Sequence, residues 1–214
     1  MTSALRSFKD YYVGTMLRPR QTFDALMADD RRLRYGIIAL VINAQFYTLV
    51  YVFLSLGGAV PASVKPWLAL PAASYYYFNE FLLAPSMFIC WILAAGVAQL
   101  LSRAASGKGS FEDMLGVLGF GISIACLPAL LVDLPVSFLG AVGALNLRQV
   151  EVTLNSPGLR HELAMLLYSL SITWSAVLFF VGIRAVQRIG RGAAIVVSAF
   201  AYLAYEAVFV VFNR

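Results

Sequence analysis

Charged residues are scarce in this sequence, and their scarcity decides the class of protein. Only 13% of its 214 residues are Asp, Glu, Lys or Arg, whereas 61% are hydrophobic. Soluble domains average about 25% charged residues, so this chain lacks the charge that a water-facing surface needs. The composition excludes a soluble domain and a disordered chain, and it predicts an integral membrane protein.

Cysteine and histidine are nearly absent, which excludes several kinds of site. Two cysteines cannot build a disulfide framework, and a single histidine cannot build a histidine metal site. Cys90 and Cys126 fall within apolar runs without companion ligands, so we interpret them as small packing residues. His161 stands beside Glu162 without a nucleophile or further metal ligands to complete a site, so we expect it to be solvated. We therefore expect no enzyme and no bound cofactor.

Long hydrophobic runs are what the sequence has instead. A helix that crosses the hydrocarbon core needs about 20 predominantly apolar residues. Five runs meet this length, and they predict five membrane-spanning helices over residues 35–56, 81–102, 114–132, 163–183 and 192–212.

Residues 134–147 are apolar but too short to cross the membrane unaided. We expect this segment either to lie in or re-enter the outer leaflet, or to continue the third span beyond Pro135.

The formal net charge of +5 is best explained by membrane orientation. Nucleic-acid binding needs basic residues clustered on a water-facing surface, whereas these fall between apolar runs, so we expect no nucleic-acid partner. Cytoplasmic segments carry an excess of Lys and Arg. In a five-span chain, twelve of the 16 basic residues lie on one side: Arg6, Lys9, Arg18, Arg20, Arg31, Arg32, Arg34, Arg103, Lys108, Arg184, Arg188 and Arg191. This bias predicts a cytoplasmic N-terminus and a C-terminus on the opposite side.

Residues 1–34 form the one substantial predicted cytoplasmic segment. Pro19 suits the first turn of a helix, and Phe23, Leu26 and Met27 recur at helical spacing. Such basic amphipathic segments lie on anionic lipid, or they pack on the ends of the spans. The candidate residues facing lipid or a partner are Arg18, Arg20, Phe23, Arg31, Arg32 and Arg34. The predicted fold is an all-α integral membrane protein: a five-transmembrane-helix bundle, residues 35–214, with an N-terminal amphipathic cytoplasmic arm.

Three segments resemble a known family. They are Pro19-x-x-Thr22-Phe23, the loop 106–111 followed by a late Pro128, and the stretch from Trp174 to Gly182-Ile-Arg184 ahead of Ala193. Together they resemble the bacterial branch of the Yip (Ypt-interacting protein) family. The resemblance implies five spans, a cytoplasmic N-terminus and a bacterial inner membrane. Eukaryotic members are associated with small GTPases and vesicle traffic, but the arm of this chain is too short to transfer that role.

The segment Gly107-Lys108-Gly109-Ser110 superficially suggests phosphate binding. A P-loop requires Gly-x-x-x-x-Gly-Lys-Ser/Thr between a strand and a helix, and here Ser102 replaces the first glycine and Gly109 replaces the hydroxyl residue. We interpret the segment as a tight turn, with Ser110 capping a helix whose first turn contains Glu112 and Asp113.

Glu206 is the one carboxylate placed deep within a predicted span, at the level of the outer third of the hydrocarbon. An ionisable side chain inside the membrane costs free energy, so each one is a candidate functional residue. The candidate polar layer at this depth comprises Glu206, Tyr168, Ser169, Ser86 and Pro128. It is either a small polar or proton-linked pocket, or a neutral Glu206 that hydrogen-bonds across helices and fixes packing.

Two functional hypotheses follow. The first is a non-catalytic accessory or organising subunit that binds lipids and another integral membrane protein or a second copy of itself. The second is a small transporter or lipid-handling protein that uses the layer around Glu206. Small residues in the fourth span, including Ser169 and Thr173, favour close helix approach.

Overall fold

The computed structural model describes residues 7–61 and 70–212, and all of its regular secondary structure there is helical. The α-helices are α1 (Phe8–Leu17), α2 (Pro19–Leu26), α3 (Arg32–Leu56), α4 (Tyr75–Ala104), α5 (Phe111–Ala125), α6 (Leu127–Ala141), α7 (Leu147–Asn155), α8 (Leu159–Gln187) and α9 (Arg191–Phe212). A short 3-10 helix, Ala72–Ser74, precedes α4. The predicted all-α membrane fold is confirmed.

Four helices, α3, α4, α8 and α9, are each long and apolar enough to cross a membrane. Helices α5 and α6 reach that standard only as a pair, either as one broken span or as a re-entrant loop. The described residues therefore contain four candidate spans, or five if the pair is one span.

The third predicted span differs from the structure in where it is interrupted. Residues 114–132 were expected to form one helix ending at Asp133, but the helix breaks at Cys126 and α6 continues through Pro135 to Ala141. Pro128 explains the break, because it has no N–H and its ring would collide with the carbonyl four residues earlier. Most of the segment 134–147 thus belongs to α6, and α7 begins at Leu147.

The helix starts follow from local chemistry. Ser7 and Asp10 form a capping box at the start of α1, and Pro19 occupies the first turn of α2. At α5, the Ser110 N–H donates to Asp113 Oδ2 and the Asp113 N–H donates to Ser110 Oγ. This pair of bonds confirms the predicted cap at Ser110.

The chain divides into two compact units. Unit 1 comprises Met1–Leu40, Trp91–Ala125 and Trp174–Ala204, and unit 2 comprises Val41–Cys90, Cys126–Thr173 and Tyr205–Arg214. In unit 1, the largest fully buried side chains include Phe23, Met114, Phe120 and Phe179. In unit 2, the core cluster comprises Ala44, Tyr51, Ala59, Tyr75, Tyr76, Leu83, Met87 and Leu147.

Candidate functional site

The N-terminal arm is packed within unit 1 by aromatic contacts. The ring of Phe8 lies 5.7 Å from that of Phe120 and 5.9 Å from that of Tyr35, centroid to centroid. Tyr11 and Tyr12 also pack on Phe120. One face of α1 therefore rests on the membrane helices, as the packing alternative for this segment predicted.

Asp29 links α1 to the start of α3. Its Oδ2 accepts a hydrogen bond from Tyr11 Oη at 3.1 Å and one from Arg31 Nη2 at 3.0 Å, and its Oδ1 accepts from Arg31 Nε at 3.0 Å. The hydrogen bonds from the Arg31 guanidinium hold the pKa of the Asp29 carboxyl below its usual range. Arg32 forms a second ion pair, with Asp113 at the start of α5.

The predicted surface residues of the arm divide into three groups. Arg18, Arg20 and Arg34 are exposed, whereas Arg31 and Arg32 are partly buried in ion pairs. Phe23 was expected to face lipid or a partner, but its side chain is 0% exposed.

The burial of Phe23 has a structural reason. The Phe23 ring packs beside Gly182 of α8, where an added Cβ would lie 3.5 Å from the ring, an ordinary van der Waals distance. Phe23 is a packing residue of unit 1 and forms no part of an exposed surface.

The loop 106–110 is held by two glutamines. Gln187 Nε2 donates to Gln99 Oε1 at 2.6 Å, Gln99 Nε2 donates to the Gly109 carbonyl at 3.0 Å, and the Gly109 N–H donates to Gln187 Oε1 at 3.1 Å. A Cβ at Gly107 would lie 2.5 Å from Gln187 Oε1, so close packing requires the glycine. The glycines of this loop serve packing against α8.

The five residues of the predicted polar layer all belong to unit 2. Ser86 is buried and donates to the Leu83 carbonyl of its own helix at 2.8 Å. Tyr168 and Ser169 are exposed, whereas Pro128 and Glu206 are partly buried. The polar layer remains a prediction.

Polar groups that the sequence reading missed lie near the helix break. Tyr47 Oη donates to the Cys126 carbonyl at 3.3 Å, which supplies a donor where the helix is interrupted. Asn43, one turn earlier on α3, is 1% exposed and lies beside the Cys126 thiol. Apart from that thiol, no hydrogen-bond partner of its amide nitrogen or oxygen is found among the described residues. The i, i+4 spacing of Asn43 and Tyr47 is visible in the sequence and places both residues on one face of α3. Both are neutral, so a choice of candidate residues by charge leaves them out.

Asp133 was assigned to the end of a span, and the structure places it inside α6. Its carboxyl lies near enough to Tyr47 and Tyr168 to interact with them electrostatically. Glu206 interacts in the same way with the thiols of Cys90 and Cys126. Among the residues described, no three His, Cys, Asp or Glu side chains are grouped so that they could hold a metal ion.

The decisive comparison covers nearly the whole chain. The sequence profile of the Yip1 domain matches residues 13–212. The chain belongs to the Yip1 domain family. The family resemblance drawn from the sequence is confirmed, and with the apolar helices it identifies a multi-pass membrane protein. No curated protein and no solved structure matches this Yip1-domain chain.

Proposed function

We propose that this Yip1-domain protein is a non-catalytic accessory or organising subunit that binds another integral membrane protein or a second copy of itself. We place it in the bacterial branch of the family and in the bacterial inner membrane, with its N-terminus cytoplasmic and its C-terminus on the far side. The exposed face of α8 carries the proposal.

The first half of α8 is poorly covered by the rest of the chain. None of its residues with a described burial is buried between Leu159 and Val177. Leu166, Ser169, Thr173 and Ala176 are all exposed, and their spacing places them on one stripe of the helix. We call this set the α8 stripe.

The composition of the α8 stripe favours a helix partner over lipid alone. Three of its four members are small, and small residues at this spacing let two helix backbones approach closely in a membrane. Thr173 Oγ1 donates to the Ser169 carbonyl at 2.7 Å, so the stripe carries no unsatisfied threonine hydroxyl. A second helix therefore gains close packing here without having to satisfy that hydroxyl.

The test replaces two small residues of the α8 stripe with leucine. In mild detergent, we expect the wild-type chain to be recovered with one stoichiometric partner or as a homo-oligomer, identified by mass spectrometry. Ser169→Leu with Thr173→Leu should reduce this recovery several-fold, because the larger side chains prevent the two helix backbones from approaching closely. Ala199→Leu, which alters an exposed small residue of α9, is the matched control and should have no effect.

A second candidate function, a small transporter or lipid-handling protein, draws support from the buried Asn43. An amide that is 1% exposed and has no hydrogen-bond partner other than a thiol among the described residues suits a polar ligand or water inside the membrane. Recovery of the wild-type chain as a lone monomer that supports proton-dependent flux in vesicles, abolished by Glu206→Gln, would favour this function and overturn the first.

A further inference from the structure

Helix α1 is apolar on two faces. Its inner face contains Tyr11 and Thr15, which are buried, and the outer face contains Val13, Met16 and Leu17, which are 42%, 41% and 72% exposed. An ordinary surface helix is apolar only on the face that packs against its protein. Packing within the protein therefore does not explain why the outer face of α1 is apolar.

Exposed cations border these apolar side chains. Lys9 lies one turn before Val13, and Arg18 and Arg20 follow Leu17 at the corner between α1 and α2. Among the described residues of the arm, the ion pairs use Arg31 and Arg32 and involve none of the corner cations. We call the set Lys9, Val13, Met16, Leu17, Arg18 and Arg20 the α1 outer face.

The corner itself is fixed by close packing. A Cβ at Gly14 would lie 2.6 Å from Thr22 Oγ1, so α1 and α2 cross closely at this glycine. Thr22 Oγ1 also donates to the Arg18 carbonyl at 2.9 Å. Because α1 and α2 hold each other here, Leu17 and its neighbouring cations are displayed together.

We propose that the α1 outer face lies in the headgroup layer of the membrane and binds acidic phospholipid. Apolar side chains flanked by Lys and Arg are the pattern by which helices settle at an anionic bilayer surface. The aliphatic side chains enter the acyl boundary, and the three cations pair with lipid phosphates. This inference concerns the arm alone and does not depend on the α8 stripe.

The first experiment measures the depth of Leu17. A nitroxide is attached at Leu17→Cys in the full chain, with Cys90 and Cys126 changed to Ala, in vesicles of phosphatidylcholine and phosphatidylglycerol. Lys108→Cys on the exposed loop and Leu203→Cys on the apolar α9 provide the water and lipid references. We expect Leu17 to be more accessible to oxygen than to a water-soluble nickel complex, with a value between those references.

Two outcomes would overturn the proposal. A nitroxide at Leu17 that matches the Lys108 reference would place the face in water. A nitroxide shielded from both oxygen and nickel would indicate a contact between copies of the chain. Since the vesicles contain no other protein, and both leaflets have one composition, neither the proposed α8 partner nor the orientation of the chain affects the result.

The second experiment leaves the native cysteines in place. Each basic side chain beside an anionic leaflet contributes a factor of about five in affinity, so Arg18→Gln with Arg20→Gln should weaken retention of phosphatidylglycerol over phosphatidylcholine by about 25-fold. Retained lipid is measured by native mass spectrometry of the protein released from lipid nanodiscs. Arg148→Gln, which removes an exposed cation of α7, should leave retention unchanged. Unchanged retention in the double variant, or equal loss in the control, would overturn the proposal.

Discussion

Asp29 connects α1, Arg31 and the start of α3 through its side-chain carboxylate and its backbone carbonyl. The carboxylate accepts from Tyr11 of α1 and from Arg31, and the Asp29 carbonyl accepts from Arg32 Nη1 at 3.3 Å. The residue is 9% exposed, so its bonds form in a partly dry environment. A carboxylate held in this way contributes to the order of the arm only while it is charged.

Removal of this charge should loosen α1. In Asp29→Asn, the guanidinium of Arg31 loses its anionic partner, and we expect several-fold faster amide hydrogen exchange over Phe8–Leu17 at neutral pH. Asp24→Asn, at an exposed position on α2, is the control and should not change the exchange. Equal exchange in both variants would contradict a stabilising role for Asp29.

The same carboxyl sets a pH dependence. Because the folded pKa of Asp29 is lowered, its contribution is present above the usual carboxyl pKa of about 3.9 and is lost as the pH falls through the lower folded value. After division by the intrinsic exchange rate at each pH, protection of wild-type α1 should therefore decrease below about pH 4, whereas Asp29→Asn should show a smaller decrease.

Phe23 marks the limit of sequence reasoning for a single residue. Helical periodicity predicted that Phe23 and Leu26 share a face, and both are indeed fully buried. The pattern could not say what that face meets, because the Phe23 ring packs beside Gly182, which is distant in the chain.

At the scale of helices, the crossing of α3 and α5 is made by glycines. A Cβ at Gly36 would lie 2.4 Å from the Gly116 carbonyl oxygen, and one at Gly119 would lie 2.4 Å from the Gly36 carbonyl oxygen. The obstructing atoms are backbone atoms, which cannot move aside as a flexible side chain can. These three glycines bring the two helices into backbone contact.

Addition of one methyl group at this crossing should destabilise the protein. We expect Gly36→Ala to lower the free energy of unfolding by about 1–3 kcal/mol, the usual cost of overpacking, although alanine favours a helix. Thermal unfolding in detergent measures the effect. The control is Gly96→Ala on α4, where an added Cβ has no heavy atom within 4 Å, and this variant should be as stable as wild type or slightly more so.

Helix boundaries were predictable only in part. Runs of apolar residues located the four long helices, but α4 begins at Tyr75 and α8 at Leu159, several residues before the predicted spans. The length of an apolar run corresponds to the part of a helix that lies in the hydrocarbon core. The helix itself continues beyond that core as long as its backbone hydrogen bonds are satisfied. The break at Cys126 was missed although Pro128 signals it, because a count of apolar residues does not register the missing N–H of a proline.

For the whole molecule, the number of crossings between the loop 106–110 and α7 decides the topology. If α5 and α6 form one broken span, Lys108 and Arg148 lie on opposite sides of the membrane. If they form a re-entrant loop, both lie on the same side. The excess of basic residues on the side that contains Lys108 predicts that this loop is cytoplasmic.

Cysteine labelling distinguishes these topologies. In cells with a permeabilised outer membrane, we expect an impermeant maleimide to modify Arg148→Cys and not Lys108→Cys, since both side chains are exposed on the protein. Subsequent lysis should make Lys108→Cys reactive, which controls for its accessibility. Reaction at both positions, or at neither, before lysis would indicate a re-entrant α5–α6 pair and four crossings.

The sequence by itself determined that this protein lies in a membrane, that its fold is all-helical, that it belongs to its family and that Ser110 caps a helix. These properties depend on composition and on neighbours within one helical turn, and both can be read along the chain. Only the tertiary structure decided that Phe23 is buried, that Asn43 and Tyr47 lie near the helix break, and that α1 has an apolar outer face. Those features depend on which helices meet and how closely, and contacts between residues far apart in the chain leave no periodic signal in the sequence.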